Sequence, residues 1–324
     1  MPIRITFNSN LSLPPQIQGP IPPDTRERTA SAPISFLSSI PQRKTTAPVV
    51  EKEKNKLDEV FAELDTLIGL NSVKSLVREL EAYVEIQKRR TREKLNAEPL
   101  VLHMIFRGNP GTGKTTVARI IGKLFKELGV LEKGHMVECE RADMVGEYIG
   151  HTAQKTKEQV KKALGGILFI DEAYSLARGG EKDFGKEAID ALVRAMENNR
   201  DNLILILAGY KKEMDWFIST NPGLRSRFPI HIDFPDYTLD ELMLIGESMF
   251  NKRQYELTYD AKAALKFHLQ EMIDHHPYAG NARMIRNLVE KTARKQAVRL
   301  YARANSTREE LMQILPEDLV FDDY

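Results

Sequence analysis

Apolar residues in this chain follow two alternating rhythms. Short apolar runs recur at "LVLHMIFRG" (100–108), "MVECE" (136–140), "GGILFIDEA" (165–173), "NLILILAGY" (202–210) and "IHIDFPDY" (230–237). Runs this short, bounded by polar residues and glycines, predict buried strands. Between them lie "TTVARIIGKLFKELGV" (115–130), "TAQKTKEQVKKAL" (152–164) and "KEAIDALVRAMENN" (186–199), with apolar residues three or four positions apart. That spacing puts the apolar side chains on one face of a helix. Strands alternating with helices predict an α/β fold, a five-stranded parallel sheet with helices on both faces.

The flanks read differently. Before the first strand, Val60, Phe61 and Leu64, then Val73, Val77, Leu80 and Val84, predict two helices broken at "LIGLN", with Asn71 or Ser72 capping the second. From Thr238 onward no strong strand signal appears, and helices are expected at about 238–252, 258–274 and 281–303. The expected organisation is therefore an α/β domain over 56–237, including the N-terminal helices, and a helical domain over 238–324. Residues 1–52 hold nine of the sixteen prolines. Proline lacks the amide donor and fixes φ, so residues 1–55 are expected to be a disordered extension.

Bulk properties narrow the function classes. The chain has 324 residues, 42% hydrophobic and 29% charged, with a net charge of +1. That balance gives no general attraction to nucleic acid. No apolar run approaches the ~20 residues of a membrane span, and the N-terminus has no secretory apolar core. Cys139 is the sole cysteine, so no intrachain disulfide forms and a cytoplasmic location is expected.

Chemistry concentrates at two strand ends. "GNPGTGKT" (108–115) fits G-x-x-x-x-G-K-[ST] between a predicted strand and a predicted helix. Its glycines let backbone amides wrap a polyphosphate, and the helix N-terminus adds partial positive charge. Gly108, Asn109, Pro110, Gly111, Thr112, Gly113, Lys114, Thr115 and Thr116 form this candidate phosphate loop. Lys114 reaches the β- and γ-phosphates, and the Thr115 hydroxyl is a Mg²⁺ ligand. Asp171 ends the third predicted strand, where an acid orients metal-bound water. Glu172, one residue on, is placed to act as general base. Together these residues predict a nucleotide hydrolase.

The order of the phosphate loop, "EYIG" (147–150), "ILFIDEA", "AGY", "GLRSRF" (223–228) and "GNAR" (280–283) resembles the AAA+ ATPases. "GEYIGHTAQKT" and "FGKEAID" narrow the likeness to the CbxX/CfxQ subfamily, nearest its sporulation branch and related to the red-type Rubisco activases. The resemblance spans about residues 57–320 and implies an AAA+ P-loop NTPase with a helical lid, using ATP and Mg²⁺. It implies that Ile68 and Gly69 contact the adenine. It implies that Arg227, with Arg225 second, reaches a neighbouring subunit's site, and that Arg283 is the sensor from the lid. Tyr210 stands where many relatives carry a polar sensor. Tyr148, Ile149 and Gly150 match the first pore loop, with Gly146 and Gly150 as hinges, and residues 176–186 match a second. The implied protein is a homo-hexameric ring that remodels a client protein, with a role in sporulation. The alternatives are a DNA-directed motor or loader, a Rubisco-activase-like repair factor, and an assembly scaffold. No DNA-binding module follows the lid, which weighs against nucleic acid as a partner.

Overall fold

Every residue of the run Leu203–Gly209 is buried, because this run is the middle strand of a five-stranded parallel sheet. The computed structural model describes residues 47–96, 100–148, 150–179, 183–275, 280–302 and 305–321, with side chains from Lys56 onward. The chain runs α1 (Ala47–Asp65), α2 (Asn71–Arg92), β1 (Met104–Arg107), α3 (Lys114–Glu127) and β2 (Met136–Cys139). It continues through α4 (Arg141–Met144), α5 (His151–Ala163), β3 (Gly166–Ile170), α6 (Gly185–Asn198) and β4 (Leu203–Gly209). Then come α7 (Lys211–Thr220), α8 (Pro222–Arg225) and β5 (Ile230–Asp233).

The strand order is β2-β3-β4-β1-β5, with Phe106 of β1 opposite both Ala208 and Ile232. Pleating sends alternate residues of β4 to opposite faces. Ile204, Ile206 and Ala208 join Phe106, Phe169 and the apolar faces of α2 and α3. Leu203, Leu205 and Leu207 join Ile105, Leu168 and residues of α5, α6 and α7. Both faces are thus covered, which is why the strands read as unbroken apolar runs. Since β1 and β3 flank β4, the segments leaving their C-terminal ends lie on either side of the end of β4, where α/β sheets bind ligands.

After the sheet come α9 (Leu239–Lys252), β6 (Glu256–Leu257), α10 (Tyr259–His275), α11 (Asn281–Tyr301), α12 (Arg308–Met312) and β7 (Gln313–Ile314). Thr238 caps α9: its backbone amide donates to Glu241 Oε2 (2.9 Å), and its hydroxyl accepts from the Glu241 amide (3.3 Å). Leu242, Ile245, Leu265, Ile285 and Val289 fill a separate core among α9, α10 and α11. Among the described residues no helix is long and apolar enough to cross a membrane.

Four details differ from the sequence reading. α1 begins at Ala47 rather than near Lys56. Pro48 lies in its first turn, where a missing N–H costs nothing, so the proline density there does not bar a helix. Neither Asn71 nor Ser72 caps α2, because buried Leu70 precedes it in the left-handed region (φ 55°) without a side-chain cap. α7 and α8 fill the segment between β4 and β5, where no helix was expected; they are too short for a firm periodicity. β6 and β7 form a parallel pair in the region expected to be all helix, and strands of two residues carry no alternation to read.

Candidate active site

The segment after β1 folds back sharply because its glycines permit it. Gly111 and Gly113 adopt φ of 76° and 96°. A Cβ on Gly111 would lie 2.2 Å from the Gly280 carbonyl, and one on Gly108 would lie 2.4 Å from the Phe234 carbonyl. The loop is therefore pressed between the start of α11 and the segment after β5. Gly113 leads into α3, whose unpaired N-terminal amides favour an anion at this point.

Lys114 is partly buried beneath the loop. Its Nζ donates to the carbonyls of Gly108 (2.9 Å) and Asn109 (2.7 Å). Burial lowers the pKa of this amine; Asp171 and Asp236 oppose that shift, and Arg283 adds to it. A polyphosphate in the cradle would favour the charged amine. Asn109 and Thr112 shape the loop and do not line the cleft. Asn109 Nδ2 donates to both oxygens of Asp236 (3.0 and 2.8 Å), and the buried Thr112 hydroxyl donates to the Asn109 carbonyl (2.8 Å).

Asp171 follows β3 and is tied to the sheet through its amide, which donates to the Cys139 carbonyl (3.0 Å). Glu172 adopts φ 47°, ψ 41°, in the left-handed region, and its amide donates to Asp171 Oδ1 (2.9 Å). A non-glycine residue held there stores strain, a pattern concentrated at functional positions. Glu172 is exposed and faces the same cleft as Lys114, Thr115, Thr116 and Asp171.

That cleft has a volume of about 540 Å³. Ile68, Leu67, Ile245 and Met249 add apolar lining to the same cleft, suited to a flat base. Gly69 (φ 64°) does not line the cleft; a Cβ there would lie 2.3 Å from Glu241 Oε1. Arg283 enters from α11 and Tyr210 from the end of β4, and both line the cleft. The Tyr210 ring lies 6.2 Å from that of buried Tyr174.

Sequence reasoning missed how α11 is bolted to the phosphate loop. Asn281 is 3% exposed with φ 49°. Its Nδ2 donates to Asp236 Oδ1 (2.8 Å), and its Oδ1 accepts from the Tyr237 amide (3.0 Å). The Ala282 amide donates to the Gly111 carbonyl (3.2 Å), and the Tyr237 hydroxyl donates to the Thr112 carbonyl (3.3 Å). Only the neighbourhood of Asn281 to Arg283 hinted at this. Asp236 and Tyr237 belong to no phosphate-loop pattern.

Three expected residues stand away from the cleft. Arg225 is exposed on α8 and makes no ion pair among the described residues. Arg227 is half-buried, donating to the Gly223 carbonyl (2.8 Å) and pairing with Glu197. Tyr148 lies on the segment between α4 and α5 and is 66% exposed, its ring edge-on to His151 at 5.5 Å. Ile149 lies outside the described residues, as do residues 180–182 of the second expected loop. Gly146 is not a hinge. It is buried, donates to Thr152 Oγ1 (2.9 Å), and a Cβ there would lie 2.5 Å from His151 Cβ. Gly150, by contrast, has a positive φ (83°) and open space around it.

Comparison with known proteins agrees with this geometry. Residues 104–236 match the ATPase family associated with various cellular activities (AAA), and residues 238–324 match an AAA lid domain. Stage V sporulation protein K of Bacillus subtilis (strain 168) is 53% identical over 83% of this chain and 84% of its own. The chloroplastic ribulose bisphosphate carboxylase/oxygenase activase of Cyanidioschyzon merolae is 44% identical over 83% of this chain and 93% of its own. Protein CbxX (plasmid) of Cupriavidus necator is 42% identical over 94% and 93%. A solved Thermotoga maritima RuvB mutant shares the fold at a TM-score of 0.51 and 23% identity, over 77% of this chain and 70% of that one. The chain belongs to the AAA family of ATPases, within the group of CbxX/CfxQ proteins and their sporulation and Rubisco-activase relatives.

Proposed function

We propose that this ATPase assembles as a hexameric ring and uses ATP turnover to pull on a client protein through its centre. The observation that carries the reading is Tyr148, a large aromatic held 66% exposed on a segment whose root is fixed. Thr152 and Thr156, both fully buried on α5, bond the Gly146 amide and the Met144 carbonyl (2.9 and 3.3 Å). Lys155 donates to the carbonyls of Ala142 and Val145 (3.3 and 3.2 Å). The tip is thus presented from a rigid base, and an aromatic face grips varied peptide sequence through dispersion contacts.

In this reading residues 56–237 form the ATPase domain and 238–324 the lid. The phosphate loop and Lys114 hold the polyphosphate, and Ile68 borders the adenine, with Gly69 shaping the turn behind it. Thr115 and Asp171 are hard oxygen donors lining one cleft, which fits Mg²⁺; a bound ion there neutralises phosphate charge. Glu172 accepts a proton from the attacking water, and Tyr210 and Arg283 report on the γ-phosphate end. Similarity to a stage V sporulation protein supports a role in sporulation.

Arg227, with Arg225 beside it, is assigned to the neighbouring subunit's site, since neither lines its own cleft. Arg227→Ala alone should bind ATP and lose about 10³-fold in turnover, the scale of a trans-acting arginine. Mixing it with Lys114→Ala should restore part of the activity, because the Lys114→Ala subunit still presents the arginine that a neighbour's intact phosphate loop needs. Native mass spectrometry establishes that mixed rings form. Mixed rings without recovery would rule out action in trans, and the same test on Arg225→Ala separates the two arginines.

A further inference from the structure

The site and the Tyr148 segment are joined by one guanidinium. Arg141 is the first residue of α4, separated from β2 by Glu140 alone and at the root of that segment. Its Nη1 donates to the Ser175 carbonyl (2.6 Å), and its Nη2 donates to Asp183 Oδ1 (2.6 Å). Ser175 belongs to the single 3₁₀ turn that follows Glu172, and its amide donates to the Glu172 carbonyl (2.8 Å). Asp183 Oδ1 also accepts from the Gly185 amide at the start of α6 (2.9 Å). The Asp183 side chain is 11% exposed and that of Arg141 35%, so the pair is largely shielded from water.

The surroundings are built around this contact. A Cβ on Gly185 would lie 2.0 Å from the Leu176 carbonyl and 3.1 Å from Arg141 Nη1, so only glycine leaves room. Burial alone would push the Asp183 carboxyl up. The Arg141 hydrogen bond and charge and the Gly185 amide outweigh that and hold it below the usual carboxylate range. α4 connects Arg141 to the Tyr148 segment: the Val145 amide donates to the Arg141 carbonyl (2.9 Å), and the next amide, Gly146, is bonded to α5.

We infer that Arg141 is a positioning residue that transmits the state of the Glu172 turn to the Tyr148 segment, with Asp183 as its anchor. Glu172 sits in a strained left-handed conformation facing the nucleotide cleft. Relaxation of that strain when nucleotide changes would move the Ser175 carbonyl. A planar fork held at two points follows such a movement, whereas a flexible single-point donor does not. Nothing in ATP binding itself requires Arg141, which does not line the cleft. The inference rests on reading the Tyr148 segment as the element that moves with nucleotide, and its test needs no client protein.

Trp216 is the sole tryptophan and is half-exposed, so Trp216→Phe with Tyr148→Trp gives a protein with one indole on the loop. Its acrylamide quenching is compared without nucleotide, with ADP, and with ATP in a Glu172→Gln background. The parent reporter should change with nucleotide. Adding Arg141→Lys, which keeps the charge but not the fork, should reduce that change about five-fold or more while ATP affinity stays within about two-fold. Asp183→Asn should act alike. A full nucleotide response in Arg141→Lys would overturn the inference and leave the gripping role of Tyr148 intact. A parent reporter blind to nucleotide would overturn it as well, and the grip would then be judged by polypeptide stimulation alone.

Discussion

Glu172→Gln holds ATP and hydrolyses it about 10²- to 10⁴-fold more slowly than the parent, the range assigned to one general base. The expectation follows from where the carboxylate stands. Its backbone lies in the left-handed region with its amide bonded to the Asp171 side chain, and its side chain is exposed to the cleft shared with Lys114 and Thr115. An amide of the same shape preserves that placement but accepts no proton from water. The phosphate loop, which supplies the binding energy, is untouched. Steady-state phosphate release and titration with a fluorescent ATP analogue separate the two effects. A turnover number near that of the parent would remove Glu172 from the base role.

Lys114→Ala abolishes nucleotide binding at concentrations that saturate the parent. The amine is drawn beneath the loop by two backbone carbonyls and lies close enough to Asp171, Arg283 and Asp236 to feel their charges. Facing phosphate, it would make charge-assisted hydrogen bonds, each worth roughly 1.5–3 kcal/mol. Two of them amount to about 3–6 kcal/mol, or roughly 10²- to 10⁴-fold in Kd. The carbonyls of Gly108 and Asn109 lose their side-chain donor as well. Calorimetric titration with ATP reads the loss, and circular dichroism checks that the fold survives. Micromolar affinity in a folded Lys114→Ala protein would mean that the phosphate sits elsewhere.

The sheet was legible because its strands are buried on both faces and contain few polar residues. "LILILAG" admits little else, and the phosphate loop carries its chemistry in eight consecutive positions. Contacts between distant segments were not legible. Asn281 bonds Asp236, 45 positions away, and Arg141 bonds Asp183, 42 positions away. Single polar residues at such separations have no local periodicity. Gly146 was misread for a related reason: tight packing and conformational freedom both select glycine, and only the backbone angle and the neighbouring atoms tell them apart. The αL conformation of Glu172 likewise left no trace, since glutamate is not a residue that sequence rules place there.

The claim that turnover is spent on protein rests on Tyr148, and one rate comparison tests it directly. ATP hydrolysis is measured in the parent and in Tyr148→Ala, each with and without a permanently unfolded polypeptide, and with duplex DNA as the contrast. The parent should be stimulated by polypeptide and indifferent to DNA, while Tyr148→Ala keeps the basal rate and loses the stimulation. Equal stimulation of Tyr148→Ala, or a parent that answers to DNA and not to polypeptide, would contradict the account.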